Sequence, residues 1–178
     1  MTDTIPAGTS PGTPDDDAPG DGISLATMLC FDLYSASRAM TSVYRGLLDP
    51  LGLTYPQYLV LVVLWTRGEQ TVREVVDLLH LDYGTVSPLL KRLEGRGLVE
   101  RRRRADDERS VTVALTDEGR ALRAQVTHVP AAIGAAFGLE DDDLAGLGRL
   151  LGTVTRSATE HAAGRTSDRT AGRAAARD

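Results

Sequence analysis

The stretch Asp82-Tyr83-Gly84-Thr85-Val86-Ser87-Pro88-Leu89-Leu90-Lys91-Arg92-Leu93-Glu94-Gly95-Arg96-Gly97, running on into Leu98-Val99-Glu100-Arg101-Arg102-Arg103, decides the fold. Asp82 suits a helix N-cap, because its carboxylate can accept from the unpaired amides of a first turn, and Gly97 suits a C-terminal stop. Together they bound a helix from Tyr83 to about Gly95. Residues 98–103 are short and β-compatible, and residues 104–109 make a charged turn. Residues 110–115 alternate Val111, Val113 and Leu115 as a half-buried strand does. Just upstream, Thr71-Val72-Arg73-Glu74 places Thr at a cap and Glu three later, which opens a short helix through Leu79. Helix, turn, helix and β-hairpin in that order predict a mainly α chain with a small β-hairpin, a winged helix-turn-helix. In such a fold the second helix enters the major groove and the hairpin reaches an adjacent minor groove.

Outward from this block the pattern stays helical. Residues 24–48 carry Leu25, Met28, Leu29, Leu33, Ala36, Met40, Val43, Leu47 and Leu48 at steps of three and four, a long amphipathic helix ending at Pro50 and Gly52. Thr54-Tyr55-Pro56-Gln57 is a second capping-box arrangement with Pro tolerated in the first turn. The apolar run from Tyr58 to Trp65 that follows predicts a buried central helix, stopped at Gly68. Thr116 caps a helix with Asp117 and Glu118 in its first turn, expected to run to Val129 before Pro130. A last helix starts near residues 141–143 and carries Leu144, Leu147, Leu150, Leu151 and Val154. Residues 1–22, with four Pro, four Gly and five Asp, and residues 162–178 read as disordered tails, which leaves residues 23–161 as the folded domain. Within it residues 54–115 are expected to form the DNA-reading lobe, flanked by helices over residues 23–50 and 116–161.

The formal charge of −5 does not argue against nucleic acid. Residues 1–22 hold five Asp and no Lys or Arg, so the rest of the chain is neutral, and residues 91–109 set eight basic side chains against five acidic ones. A local patch governs phosphate contact more than the global sum does. In the winged-helix frame Tyr83, Gly84, Thr85, Ser87 and Pro88 lie at the end of the second helix that approaches base edges. Lys91, Arg92 and Arg96 lie further along, toward phosphates. Arg101, Arg103, Asp107 and Arg109 belong to the hairpin, and Arg109 at its tip suits a narrowed minor groove.

Cys30 is the only cysteine, so no internal disulfide forms; packing or thiol chemistry are its uses. The chain has no signal-peptide order and no apolar run long enough for a bilayer, so a reduced, cytoplasmic setting is expected. His80, His128 and His161 are dispersed, which disfavours a metal site, and no phosphate loop or nucleophile elbow appears; neither metal nor cofactor is expected.

The segment 81–94, with Asp107-Glu108-Arg109 and Leu115-Thr116, resembles the MarR family of winged-helix regulators, whose wing carries Asp-x-Arg before a strand ending in Leu-Thr. Leu29-Cys30-Phe31-x-Leu33-Tyr34-Ser35-Ala36-Ser37-Arg38, with Leu53-Thr54-Tyr55-Pro56-Gln57-Tyr58, is similar to the OhrR branch of organic-hydroperoxide-sensing repressors. The likeness runs from about residue 24 to 125. It implies a homodimer on a pseudo-palindromic operator, held together by dimerisation helices in residues 23–50 and 116–161, with no enzymatic turnover, and a reactive cysteine at Cys30. It also implies that two tyrosines of the partner subunit, which map onto Tyr44 and Tyr55, hydrogen-bond that sulfur. Tyr44 lies fourteen residues beyond Cys30, about 21 Å along a straight helix at ~1.5 Å per residue, so a contact between them needs a second chain.

A thiol of ordinary pKa is only ~3% ionised at pH 7, so a reactive one needs donors or a helix N-terminus to hold its anion. Cys30 is expected about two turns into its helix, too deep for the helix dipole alone. With no second cysteine, the resemblance is to the one-cysteine type, in which a low-molecular-weight thiol captures the sulfenic acid or oxidation proceeds further. The open rival is a MarR-type repressor released by a small phenolic ligand at the dimer interface; a thiol peroxidase is disfavoured, since nothing near Cys30 in the chain resembles a peroxidase active site.

Overall fold

The computed structural model describes residues 28–103 and 111–175. The chain divides into two compact units, one ending at Arg38 and one beginning at Ala39. The first unit holds the opening of α1 (Leu29–Leu48), whose side chains from Leu29 to Arg38 are exposed except for a half-buried Leu33.

The second unit contains the remaining elements. They are α2 (Tyr55–Arg67), β1 (Gln70–Thr71), α3 (Val72–Leu79), α4 (Tyr83–Gly95), β2 (Val99–Arg103), β3 (Val111–Leu115), α5 (Asp117–Leu122), α6 (Val129–Phe137) and α7 (Asp141–Ala175). Each helix start has its chemistry. The Thr54 amide donates to Gln57 Oε1 at 2.9 Å. Thr71 and Glu74 cap each other reciprocally, amide to Oε2 at 2.7 Å and amide to Oγ1 at 3.2 Å. Thr116 Oγ1 accepts from the Gly119 amide at 3.0 Å.

α2 is the centre of the core, with Tyr58, Val60, Leu61, Val63 and Leu64 buried. Val75 of α3, Val86, Leu90 and Leu93 of α4, Val99 and Val113 of the hairpin, and Val129 and Ile133 of α6 join it in one cluster. Burying each such side chain stabilises the fold by about 1.5–3 kcal/mol.

The expected hairpin is part of a three-stranded antiparallel sheet in the order β1-β3-β2, with Arg101 opposite Val113 and Gln70 also opposite Val113 on the other side. β1 has two residues, too few to show any alternation in sequence. The helix expected from Thr116 to Val129 is broken instead. α5 gives way to a 3-10 turn (Arg123–Val126), and Pro130 sits in the first turn of α6, where its missing N–H has no partner to lose. α7 continues to Ala175, past the boundary expected at 161, through a segment whose alanines favour helix over the irregular state its Gly, Ser and Thr suggested. Residues 1–27 lie outside the described residues, and so does the N-terminal tail assigned to 1–22.

Candidate DNA interface and thiol site

α4 is positioned from its two ends. At its N-terminus Asp82 accepts from the Thr85 amide at 2.8 Å and the Thr85 hydroxyl at 2.7 Å. Those bonds, the hydroxyl's first, hold the Asp82 carboxyl below its ordinary value. The turn before it is closed by His80, the only non-glycine with positive φ among the described residues, at 51°. Val86, Leu89, Leu90 and Leu93 face the core. That leaves Tyr83, Gly84, Thr85 and Pro88 exposed and Ser87 half-buried on the outer side of the first two turns, the set expected to approach bases.

Of the basic side chains, Lys91 and Arg92 are exposed on α4. Arg96 and Arg101, the other two expected at DNA whose side chains are described, are engaged within the chain. Arg96 donates from Nη1 to Gly52 O at 2.6 Å and from Nη2 to Leu51 O at 2.8 Å. Arg101 donates from Nε to Glu94 at 3.0 Å, tying β2 to α4. Counting charges had placed both toward DNA; their guanidiniums instead brace α4 from behind. Arg103 extends β2 opposite Val111. Asp107 and Arg109 lie outside the described residues.

Cys30 falls in the first unit, and Tyr44 and Tyr55 fall in the second. In the first unit Cys30 is exposed and stands in the first turn of α1, because the helix begins at Leu29. The expectation of two turns of helix before it is corrected, and with it the premise that Cys30 lies too deep for the helix dipole alone. Tyr34, one turn on, is exposed; its hydroxyl accepts from Arg38 Nη1 at 3.3 Å, and the Arg38 guanidinium lies 5.7 Å from its ring centre.

In the second unit Tyr44 and Tyr55 come together. Their rings stack with centroids 4.1 Å apart and 27° between planes. Tyr58 lies 6.0 Å from Tyr44, and Trp65 lies 6.2 Å beyond Tyr58. Burial first, then the neighbouring Tyr55 and Tyr58 and a hydrogen bond to Tyr55, push the Tyr44 hydroxyl up to about 12. Tyr55 also lines a hollow of about 220 Å³ with Thr41, Arg45, Asp49, Leu53, Thr54 and Pro56, so it is open to an approaching group. Sequence reasoning named both tyrosines; their stacking on one another had no sequence signal, since eleven residues and a turn separate them.

Two capped helices in helix-turn-helix order, the second with an exposed polar first turn, and a three-stranded wing define a winged-helix DNA-binding protein. Residues 42–126 match the family of the transcriptional regulator SarA/Rot. The chain is 46% identical over 113 residues to the organic hydroperoxide resistance transcriptional regulator of Bacillus subtilis, covering 64% of this chain and 77% of that one. It is 40% identical over 141 residues to the HTH-type transcriptional regulator MgrA of Staphylococcus aureus, covering 79% and 96%. The structure of reduced AbfR bound to DNA superposes with a TM-score of 0.64 at 36% identity, over 74% of this chain and 92% of that one. The chain belongs to the MarR family of winged-helix transcriptional regulators, in its OhrR branch. Among the described residues no single helix is long and apolar enough to cross a membrane, and no group of three His, Cys, Asp or Glu could hold a metal ion.

Proposed function

We propose that this regulator is a homodimeric repressor that an organic hydroperoxide releases from its operator by oxidising Cys30. The observation that carries the reading is the pairing of two features on one DNA-binding chain. One is a sole, exposed cysteine in the first turn of α1; the other is a stacked tyrosine pair whose Tyr55 lines a hollow. Exposed Leu29 and Phe31 on α1, and Leu150, Leu151 and Val154 on α7, favour assembly with a second chain that covers them.

In the reduced dimer, the hydroxyls of Tyr44 and Tyr55 donate to the Cys30 sulfur of the opposite subunit. The Cys30 thiolate then attacks the distal oxygen of the hydroperoxide. A sulfur–oxygen bond forms, the oxygen–oxygen bond breaks, and the alcohol leaves after taking a proton. A low-molecular-weight thiol next attacks the sulfenic sulfur, forming a mixed disulfide and releasing water. The added group spoils the tyrosine contacts and spreads the interface, and the two recognition helices lose the spacing of about 34–36 Å that successive half-sites demand.

The test is a DNA-binding titration on the region upstream of the regulator's own gene. Reduced wild type binds tightly; wild type treated with cumene hydroperoxide and a small thiol lets go; Cys30→Ser treated identically stays bound. Release of Cys30→Ser would move the sensor elsewhere and favour the phenolic-ligand mechanism. Steady peroxide consumption with added thiol and little DNA affinity would favour a peroxidase.

A further inference from the structure

The Arg96 guanidinium joins two corners that are 44 residues apart in sequence. One corner connects α1 to α2. After Leu48 the chain makes a 3-10 turn (Asp49–Leu51) and passes through Gly52 at φ 63°. The Gly52 amide closes onto Asp49 O at 2.9 Å, and the Leu53 amide onto Leu48 O at 3.2 Å. The other corner is the end of α4. There Gly97, at φ 70°, donates to Glu94 O at 2.9 Å and Leu98 to Leu93 O at 3.1 Å, the paired bonds of a Schellman stop.

Each corner is closed by its own backbone bonds, and Arg96 spans them with two charge-assisted bonds to Leu51 O and Gly52 O. Only a planar fork reaches both carbonyls at once; a lysine ammonium is a point donor. α4 otherwise packs chiefly on α2, α3 and β2, and its Leu90 and Leu93 share the core cluster with Leu48 and Leu53. The arginine adds a hydrogen-bonded tie to the corner at which the cysteine-bearing helix ends.

We propose that Arg96 is a positioning residue that couples the α1–α2 corner to the seating of the recognition helix. A rigid helix of 13 residues is about 20 Å long, so a displacement imposed at its Arg96 end moves the Tyr83 end that meets the bases. Coupling between two sites is reciprocal: occupancy of α4 by DNA steadies the corner, and rearrangement of the corner weakens DNA binding. The inference rests on the reading of α4 as the DNA-contacting helix, and in its oxidation arm on the reading of Cys30.

The experiment is hydrogen exchange of the full chain, alone and with a duplex that the wild-type protein has selected from a random-sequence pool. In wild type the duplex slows exchange across residues 49–53 by about fivefold or more, the lower end of ordinary site-to-site coupling. In Arg96→Ala the slowing at 49–53 vanishes while slowing across α4 persists, and Arg96→Lys, which keeps the charge but loses the fork, falls between. Equal slowing at 49–53 in wild type and Arg96→Ala overturns the proposal, and so does its absence in wild type. A second arm treats both proteins with cumene hydroperoxide and a small thiol: the wild type's loss of affinity for the duplex is larger than that of Arg96→Ala. A wild type that keeps its duplex after treatment defeats the Cys30 reading, and the exchange data then decide Arg96 alone. A pool that yields no bound duplex defeats the DNA-contact reading and this inference with it.

Discussion

The two ends of α4 are built on opposite principles. Its first two turns face outward with Tyr83, Thr85 and Pro88 exposed, and the one strong local device is the Asp82 cap. Its last turn is tied to the rest of the fold: Arg96 binds the α1–α2 corner, Glu94 binds Arg101 of the wing, and Gly97 starts the β2 approach. The difference teaches that a basic residue near a recognition helix is as readily a brace as a ligand. Only its partners tell which.

The braced end breaks most severely at Gly119. A Cβ there would collide with the Leu98 carbonyl oxygen, because α5 rests directly on the chain entering β2. The same glycine's carbonyl accepts from Trp65 Nε1 at 2.9 Å. Gly119→Ala should cost about 3 kcal/mol or more, since relief requires moving backbone. Urea denaturation followed by the fluorescence of Trp65, the chain's one tryptophan, measures it; an unchanged midpoint would show that the contact relaxes freely.

The contrast between ligand and brace is sharpened by salt dependence. Lys91→Ala or Arg92→Ala should each reduce the slope of log affinity against log salt by about one, the signature of a lost phosphate contact. Arg101→Ala should leave that slope alone and cost only about 0.2–1 kcal/mol of stability, because its partner Glu94 is itself partly solvated. A slope change on removing Arg101 would turn that residue from brace to ligand.

The smallest effect belongs to the outward end. The Asp82 carboxyl is held below its ordinary value of 3.8 by Thr85. A group depressed in the folded state stabilises it above the unfolded value, and the benefit fades as pH falls through the folded value. The first turn of α4 should therefore loosen below about pH 4. Amide exchange at Thr85 reports it, and Asp82→Ala should abolish the dependence.

Much of this architecture was legible because it rests on local chemistry. The pairs Thr54 with Gln57, Thr71 with Glu74 and Asp82 with Thr85 lie three residues apart, and α4 begins and ends where Asp82 and Gly97 say it should. What escaped depends on distance or on ambiguous signals. A two-residue β1 has no periodicity to read. Pro130 stops one helix in the same way that it starts another, so α6 was hidden behind it. The apolar steps before Leu29 placed Cys30 deeper in a helix than it stands. Arg96 counted as one positive charge among eight, and nothing local in sequence points it at carbonyls 44 residues away.

The central claim is that one subunit's Cys30 works with the other subunit's Tyr44 and Tyr55. The most direct measurement is the rate of Cys30 oxidation in a mixed dimer of one Cys30→Ser subunit and one subunit carrying Tyr44→Phe and Tyr55→Phe, followed by mass spectrometry. The account predicts that the remaining Cys30 reacts with cumene hydroperoxide at the wild-type rate, because its tyrosines lie on the other chain. Oxidation as slow as in the doubly substituted homodimer would contradict it.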